Sequence, residues 1–109
     1  MPMAVKKISS MQEFDAAIGD GAAPVFVDFS AVWCGPCRMF APVFDQFSED
    51  CAGKATCLSV DIDECRDIAM RFGISAVPTT LIFKDGQVVD SMLGASDMAT
   101  LAFKLDKLA

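Results

Sequence analysis

Residues 24–30, PVFVDFS, constrain the fold most tightly, because a single carboxylate interrupts an otherwise nearly unbroken apolar run. A strand of this kind is buried on both faces. Its sheet therefore needs helices above and below it, and the rest of the chain must supply them. With 109 residues there is room for one such core and not for two, so residues 1–109 read as a single domain. Nine phenylalanines provide the bulk that the core requires.

The flanking segments carry the expected periodicities. Val5 to Ile8 is a short strand, and Ser10 with Glu13 forms a capping box for a helix with Met11, Phe14 and Ile18 inward, stopped by Gly19. Phe40, Val43, Phe44, Phe47 and Cys51 recur at helical spacing, with Pro42 expected to kink that helix. Cys57 to Ile62 is a strand. Cys65, Ile68, Ala69 and Phe72 mark a helix that ends at Gly73. Thr79–Lys84 and Gln87–Leu93 flank Asp85-Gly86, a strong hairpin signal. Ser96 is expected to open a last helix with Met98, Leu101, Leu105 and Leu108 inward. The order βαβαβα followed by ββα gives an α/β domain. Its sheet is mixed, helices cover both faces, and the last two strands are antiparallel.

Composition narrows the chemistry. Nine basic residues stand against 15 acidic ones, a formal charge of −6, and the basic residues form no stripe. That surface argues against nucleic acid or an anionic membrane as partner. No apolar run is long enough to span a bilayer. Histidine and tyrosine are absent, which removes histidine bases and imidazole zinc ligands. Residues 1–10 lack the apolar stretch of a secretion signal, so a cytoplasmic location is expected. Five cysteines, an odd number, do not read as a disulfide framework in that setting.

One pair has a telling spacing. Cys34 and Cys37 stand one helical turn apart where a buried strand gives way to a helix. Their Cα atoms should lie roughly 5–6 Å apart, within disulfide range. At the helix start, free N–H groups and the macrodipole stabilise a Cys34 thiolate. Pro36 suits the first turn, and Gly35 leaves the approach to Cys34 open. The Cys34 thiolate can then attack a disulfide and Cys37 can resolve the mixed species. The rival use of a CxxC pair is half a zinc site. That needs a second pair, and Cys51, Cys57 and Cys65 offer no such spacing; they read as packing residues on apolar stripes and at a strand start. Asp28 is either a surface carboxylate or, given its apolar neighbours, a buried one with a raised pKa that can accept the Cys37 proton. Trp33 reads either as core bulk or as part of an apolar docking surface beside the pair.

The stretch from Val27 to Pro42, VDFSAVWCGPCRMFAP, resembles the active-site region of the thioredoxin family. Val60-Asp61-Ile62-Asp63, Val77-Pro78-Thr79, Phe83-Lys84-Asp85-Gly86 and Gly94-Ala95 match further family positions in order. Disulfide isomerases resemble CGHC and glutaredoxins CPYC, and this chain has neither the histidine nor the tyrosine for those motifs. The resemblance implies a thioredoxin fold, a central five-stranded mixed sheet flanked by four helices. It implies a monomeric protein-disulfide reductase without bound cofactor or metal, which maintains redox homeostasis and donates electrons to target enzymes. Its partners would be disulfide-containing proteins and an NADPH-dependent thioredoxin reductase.

By the same resemblance Asp28 is the base for Cys37, and Pro78 is cis and packs beside the cysteines. Val77 would offer backbone hydrogen bonds to an extended substrate, and Trp33, Gly35, Pro36, Gly94 and Ala95 would line the docking surface. Two positions depart from the bacterial pattern. Ser30 stands where an aromatic residue is usual, and Ser59 where a lysine usually accompanies the buried aspartate. A redox-inactive binding subunit and an exported disulfide oxidant or isomerase are the competing functions.

Overall fold

The structure, a computed structural model, describes residues 5–19, 21 and 23–108. Residues 1–4, part of the N-terminal stretch considered above, lie outside them. Nine elements follow in the order β1 (Val5–Ile8), α1 (Met11–Ile18), β2 (Val25–Ser30), α2 (Gly35–Asp50), β3 (Thr56–Asp61), α3 (Arg66–Arg71), β4 (Thr79–Lys84), β5 (Gln87–Leu93) and α4 (Met98–Asp106). The strands form one sheet in the order β1-β3-β2-β4-β5. β3 lies parallel to both β1 and β2, while β4 runs antiparallel to β2 and to β5. This is the α/β architecture of five strands and four helices that the resemblance implied.

β2 occupies the centre and is buried on both faces, as its composition requires. Its alternation divides the core. Val25, Val27 and Phe29 join Phe14, Ile68 and Phe83 on the side of α1 and α3. Phe26 packs on the other side with Phe40, Phe44, Phe47 and Leu101 of α2 and α4. Asp28 has the parity of Phe26, so its carboxylate enters the α2 side of the sheet. The helix of Phe40 to Cys51 runs unbroken through Pro42.

Several local signals resolve differently in detail. Ser10 Oγ accepts from the Glu13 N–H at 3.1 Å, but Glu13 returns its bond to the Ser9 N–H rather than to that of Ser10. β3 begins and ends one residue earlier than expected. The last helix is capped by Asp97, whose carboxylate accepts from the Thr100 N–H at 2.8 Å, and not by Ser96. Ser96 instead turns its hydroxyl to the Met92 sulfur. The Asp85-Gly86 turn has φ of 53° and 80°, the two positive values that a type I′ hairpin demands. A bulge follows: Ile82 faces Asp90 and Phe83 faces Val88, leaving Val89 between them.

The parallel strand β2 and the antiparallel strand β4 bring two distant segments to one end of the sheet. The carboxyl end of β2 leads into Ala31–Cys34, and the residues before β4 are Val77 and Pro78. The cysteines meet Val77 there although more than forty residues separate them in sequence.

Candidate active site

Cys34 is the N-cap of α2, in extended conformation, with Pro36 in the first turn. Its Sγ accepts a hydrogen bond from the Cys37 N–H at 3.1 Å. An α-helix leaves its first N–H groups without internal partners, and one of them is aimed at this sulfur. Cys34 and Cys37 are joined as a disulfide, with their Cα atoms 5.2 Å apart, at the short end of the expected range. Cys34 Sγ also lies 3.7 Å from the Val77 carbonyl oxygen.

The pair is less open than the sequence suggests. Cys34 is 5% and Cys37 4% exposed, because Ala31, Ile62 and Val77 pack against them. Space remains beside Gly35, where an added Cβ would meet nothing within 4 Å. The Val77–Pro78 peptide is cis, and Pro78 is buried. The Pro78 carbonyl accepts from the Gly94 N–H at 2.8 Å, which ties the end of β5 to this loop. Gly94 has φ of 86°, a backbone that other residues rarely adopt, and Ala95 beside it is exposed.

Trp33 is 64% exposed, so it is not core bulk. Its indole N–H donates to Asp63 Oδ2 at 2.8 Å. Asp63 is itself held by Asp61, whose carboxylate accepts from the N–H groups of Asp63 and Glu64 as β3 ends. The side chains of Val32, next to Trp33 in sequence, and of Met39 on α2 are further exposed apolar groups. Sequence reading missed both residues and the part played by Asp63; hydrophobic periodicity does not report which loops meet.

Asp28 is buried, and the surface alternative is excluded. Loss of solvent pushes its carboxyl up to about 7, and the nearby Asp45 of α2 pushes in the same direction. It shares a cavity of about 230 Å³ with Cys37, Ser59, Asp61, Lys7 and Arg38. Ser59 is its neighbour on β3 and Thr80 its neighbour on β4. Asp28 Oδ1 and Thr80 Oγ1 are both buried without a hydrogen-bond partner.

The remaining thiols sit elsewhere. Cys51 and Cys57 lie together in the α2–α4 half of the core, and Cys65 at the start of α3 in the other half. Burial raises the pKa of all three. Among the described residues, no group of three or more Cys, Asp or Glu could hold a metal, and no helix is long and apolar enough to cross a membrane.

This arrangement has counterparts in known proteins. A Thioredoxin family model matches residues 5–107. The chain is 48% identical over 85 residues to an M-type chloroplastic thioredoxin of Triticum aestivum, covering 78% of this chain. It is 41% identical over 105 residues to a thioredoxin of Staphylococcus aureus, covering 96% of this chain and 98% of that one. It spans 49–60% of the length of its chloroplastic relatives. Among solved structures, a Plasmodium falciparum thioredoxin superimposes with a TM-score of 0.86 at 36% identity, over 95% of this chain and 99% of that chain. A dithiol at the head of α2, a sheet ordered β1-β3-β2-β4-β5 and a family match along nearly the whole chain agree: this protein belongs to the thioredoxin family.

Proposed function

We propose that the protein is a general protein-disulfide reductase. The observation that carries this reading is the Cys34–Cys37 pair at the start of α2, with one sulfur receiving a helix N–H and facing a backbone carbonyl. In the reduced state the Cys34 thiolate attacks one sulfur of a substrate disulfide, and the other substrate sulfur leaves as a thiolate. Cys37 then gives its proton to Asp28 and attacks Cys34. The Cys34–Cys37 disulfide forms, and the second substrate sulfur is released. Two electrons have passed to the substrate, and an NADPH-dependent reductase of the thioredoxin reductase type would return them.

Docking would rest on Trp33, Gly35, Pro36, Val77, Pro78 and Gly94; Val77 packs against the cysteines, and the Gly94 N–H donates to the Pro78 carbonyl. An extended peptide laid along Val77 would find backbone partners there. We place the protein in a reducing compartment, the cytoplasm, in keeping with three buried free thiols. An insulin-reduction assay coupled to NADPH and thioredoxin reductase tests the reading. Turnover that disappears in Cys34→Ser supports it. A wild-type protein that binds disulfide partners without consuming NADPH would be a redox-inactive binding subunit instead.

A further inference from the structure

Thr80 and Asp28 face one another across β4 and β2, as directly opposed residues of an antiparallel pair. Opposed side chains project to the same face, with Cβ atoms about 4.5–5.5 Å apart. Thr80 is fully buried and Asp28 is 4% exposed. Each carries a side-chain oxygen without a partner, Oγ1 in one and Oδ1 in the other. Two orphaned polar groups in contact positions inside an apolar sheet are unusual, since buried polar atoms almost always find a bond. One hydroxyl proton would satisfy both, with Thr80 Oγ1 as donor and Asp28 Oδ1 as acceptor.

We propose that Thr80 is a positioning residue for disulfide exchange, its hydroxyl held ready to donate to Asp28 when that carboxylate is charged. The proposal rests on Asp28 acting as the base for Cys37. A neutral carboxyl still accepts from an O–H donor, but a carboxylate accepts more strongly. The hydrogen bond is therefore stronger in the charged state and favours it, which makes the base available at lower pH. The other groups around Asp28 do not replace it. Lys7 of β1 is engaged with Glu64 at 3.2 Å, and Arg38 of α2 with the Val32 carbonyl at 2.9 Å. Asp45 of α2 opposes a further negative charge, Asp61 of β3 is an acceptor that lines the same cavity, and Cys37 is the proton donor of the reaction. On the β3 side Ser59 lines the cavity, where solvent can serve it.

The test follows the Asp28 carboxyl carbon by NMR between pH 4 and 10 in the oxidised protein, in wild type, Thr80→Val, Thr80→Ala and Thr80→Ser. Thr80→Val keeps the shape and removes the donor, and Thr80→Ala guards against a misfit of valine. Loss of the donor should raise the Asp28 midpoint by roughly one pH unit. Thr80→Ser should restore it. The pH at which Cys37 resolves a mixed disulfide should move upward with the midpoint. An Asp28 midpoint unchanged in both Thr80→Val and Thr80→Ala overturns the proposal. Failure of the underlying reading looks different: Asp28→Asn would resolve mixed disulfides at the wild-type rate, whatever Thr80 does to the titration.

Discussion

The Cys37 backbone N–H donates to the Cys34 sulfur at 3.1 Å, so the peptide group of the proposed resolving residue serves the sulfur proposed as nucleophile. The two cysteines are thus unequal, and their serine variants should differ. Cys34→Ser should abolish disulfide reduction. Cys37→Ser retains the N–H and should still attack, but it should accumulate mixed disulfides through Cys34 because the resolving thiol is gone. Mass spectrometry of intact protein after exposure to a disulfide substrate separates the two. Accumulation on Cys34→Ser rather than on Cys37→Ser would reverse the roles.

Asp28 should make stability depend on pH. Its folded pKa of about 7 lies above the ordinary carboxylate value of 3.8, so the folded state favours the protonated form. Stability falls as pH rises from about 4 to about 7 and levels off above that. Asp28→Asn should therefore stabilise the protein by at most on the order of 4 kcal/mol at pH 8 and by little at pH 4. The same variant should slow resolution of the mixed disulfide. Denaturant melts at both pH values and stopped-flow reduction check the two halves. A variant less stable than wild type at pH 8 would contradict the burial argument.

Alkylation of the reduced protein should be selective. Cys51, Cys57 and Cys65 are buried, and burial raises each thiol above its ordinary range, so few thiolates are present at neutral pH. N-Ethylmaleimide at pH 7 should modify Cys34 first and leave these three intact until the protein unfolds. Peptide mapping over time gives the order. Modification of Cys65 as fast as Cys34 would show that α3 opens in the native state.

Trp33 is tied to the end of β3 through Asp63. Asp63→Ala should free the indole and weaken docking of protein substrates, raising KM several-fold with a smaller change in kcat. A small disulfide that makes little use of the docking surface should be reduced at nearly the wild-type rate. Equal losses for both substrates would mean that Asp63 acts on the sulfur chemistry itself.

The cap of α4 offers a stability test. Asp97 bonds the Thr100 N–H, and its carboxyl pKa is lowered first by a hydrogen bond with the Thr100 side chain and then by this backbone bond. Asp97→Ala should lower Tm, and the loss should fade as pH falls through the lowered pKa, since the protonated acid is a poorer acceptor. Ser96→Ala should have a smaller effect. Thermal melts of both variants at pH 7 and pH 3 decide between the two residues.

Much of this molecule was legible from local pattern. The apolar run around Asp28 marked the central strand, the Phe40–Phe47 spacing marked the buried face of α2, and Asp85-Gly86 marked its hairpin because few residues accept two positive φ angles. Ser96 and Asp97 were harder to separate: both are good N-caps, and only hydrogen-bond geometry distinguishes neighbours of equal propensity. The site divided along the same line. Cys34, Cys37 and Asp28 announce themselves through residue type and spacing. Thr80 does not, because its importance arises from strand register with Asp28, far earlier in the chain. Nor does Val77 reveal that it covers Cys34, a contact created by the antiparallel arrival of β4.

That antiparallel arrival has a practical corollary. Because β4 starts beside the cysteines and runs away from them, its Asp85-Gly86 turn emerges at the opposite end of the sheet. The molecule is polar in the geometric sense, with its chemistry at one pole and a solvent-facing hairpin tip at the other. A fluorophore, affinity handle or electrode linker grafted at that tip would leave the sulfur-bearing pole turned toward incoming proteins, so the fold is already oriented for immobilisation.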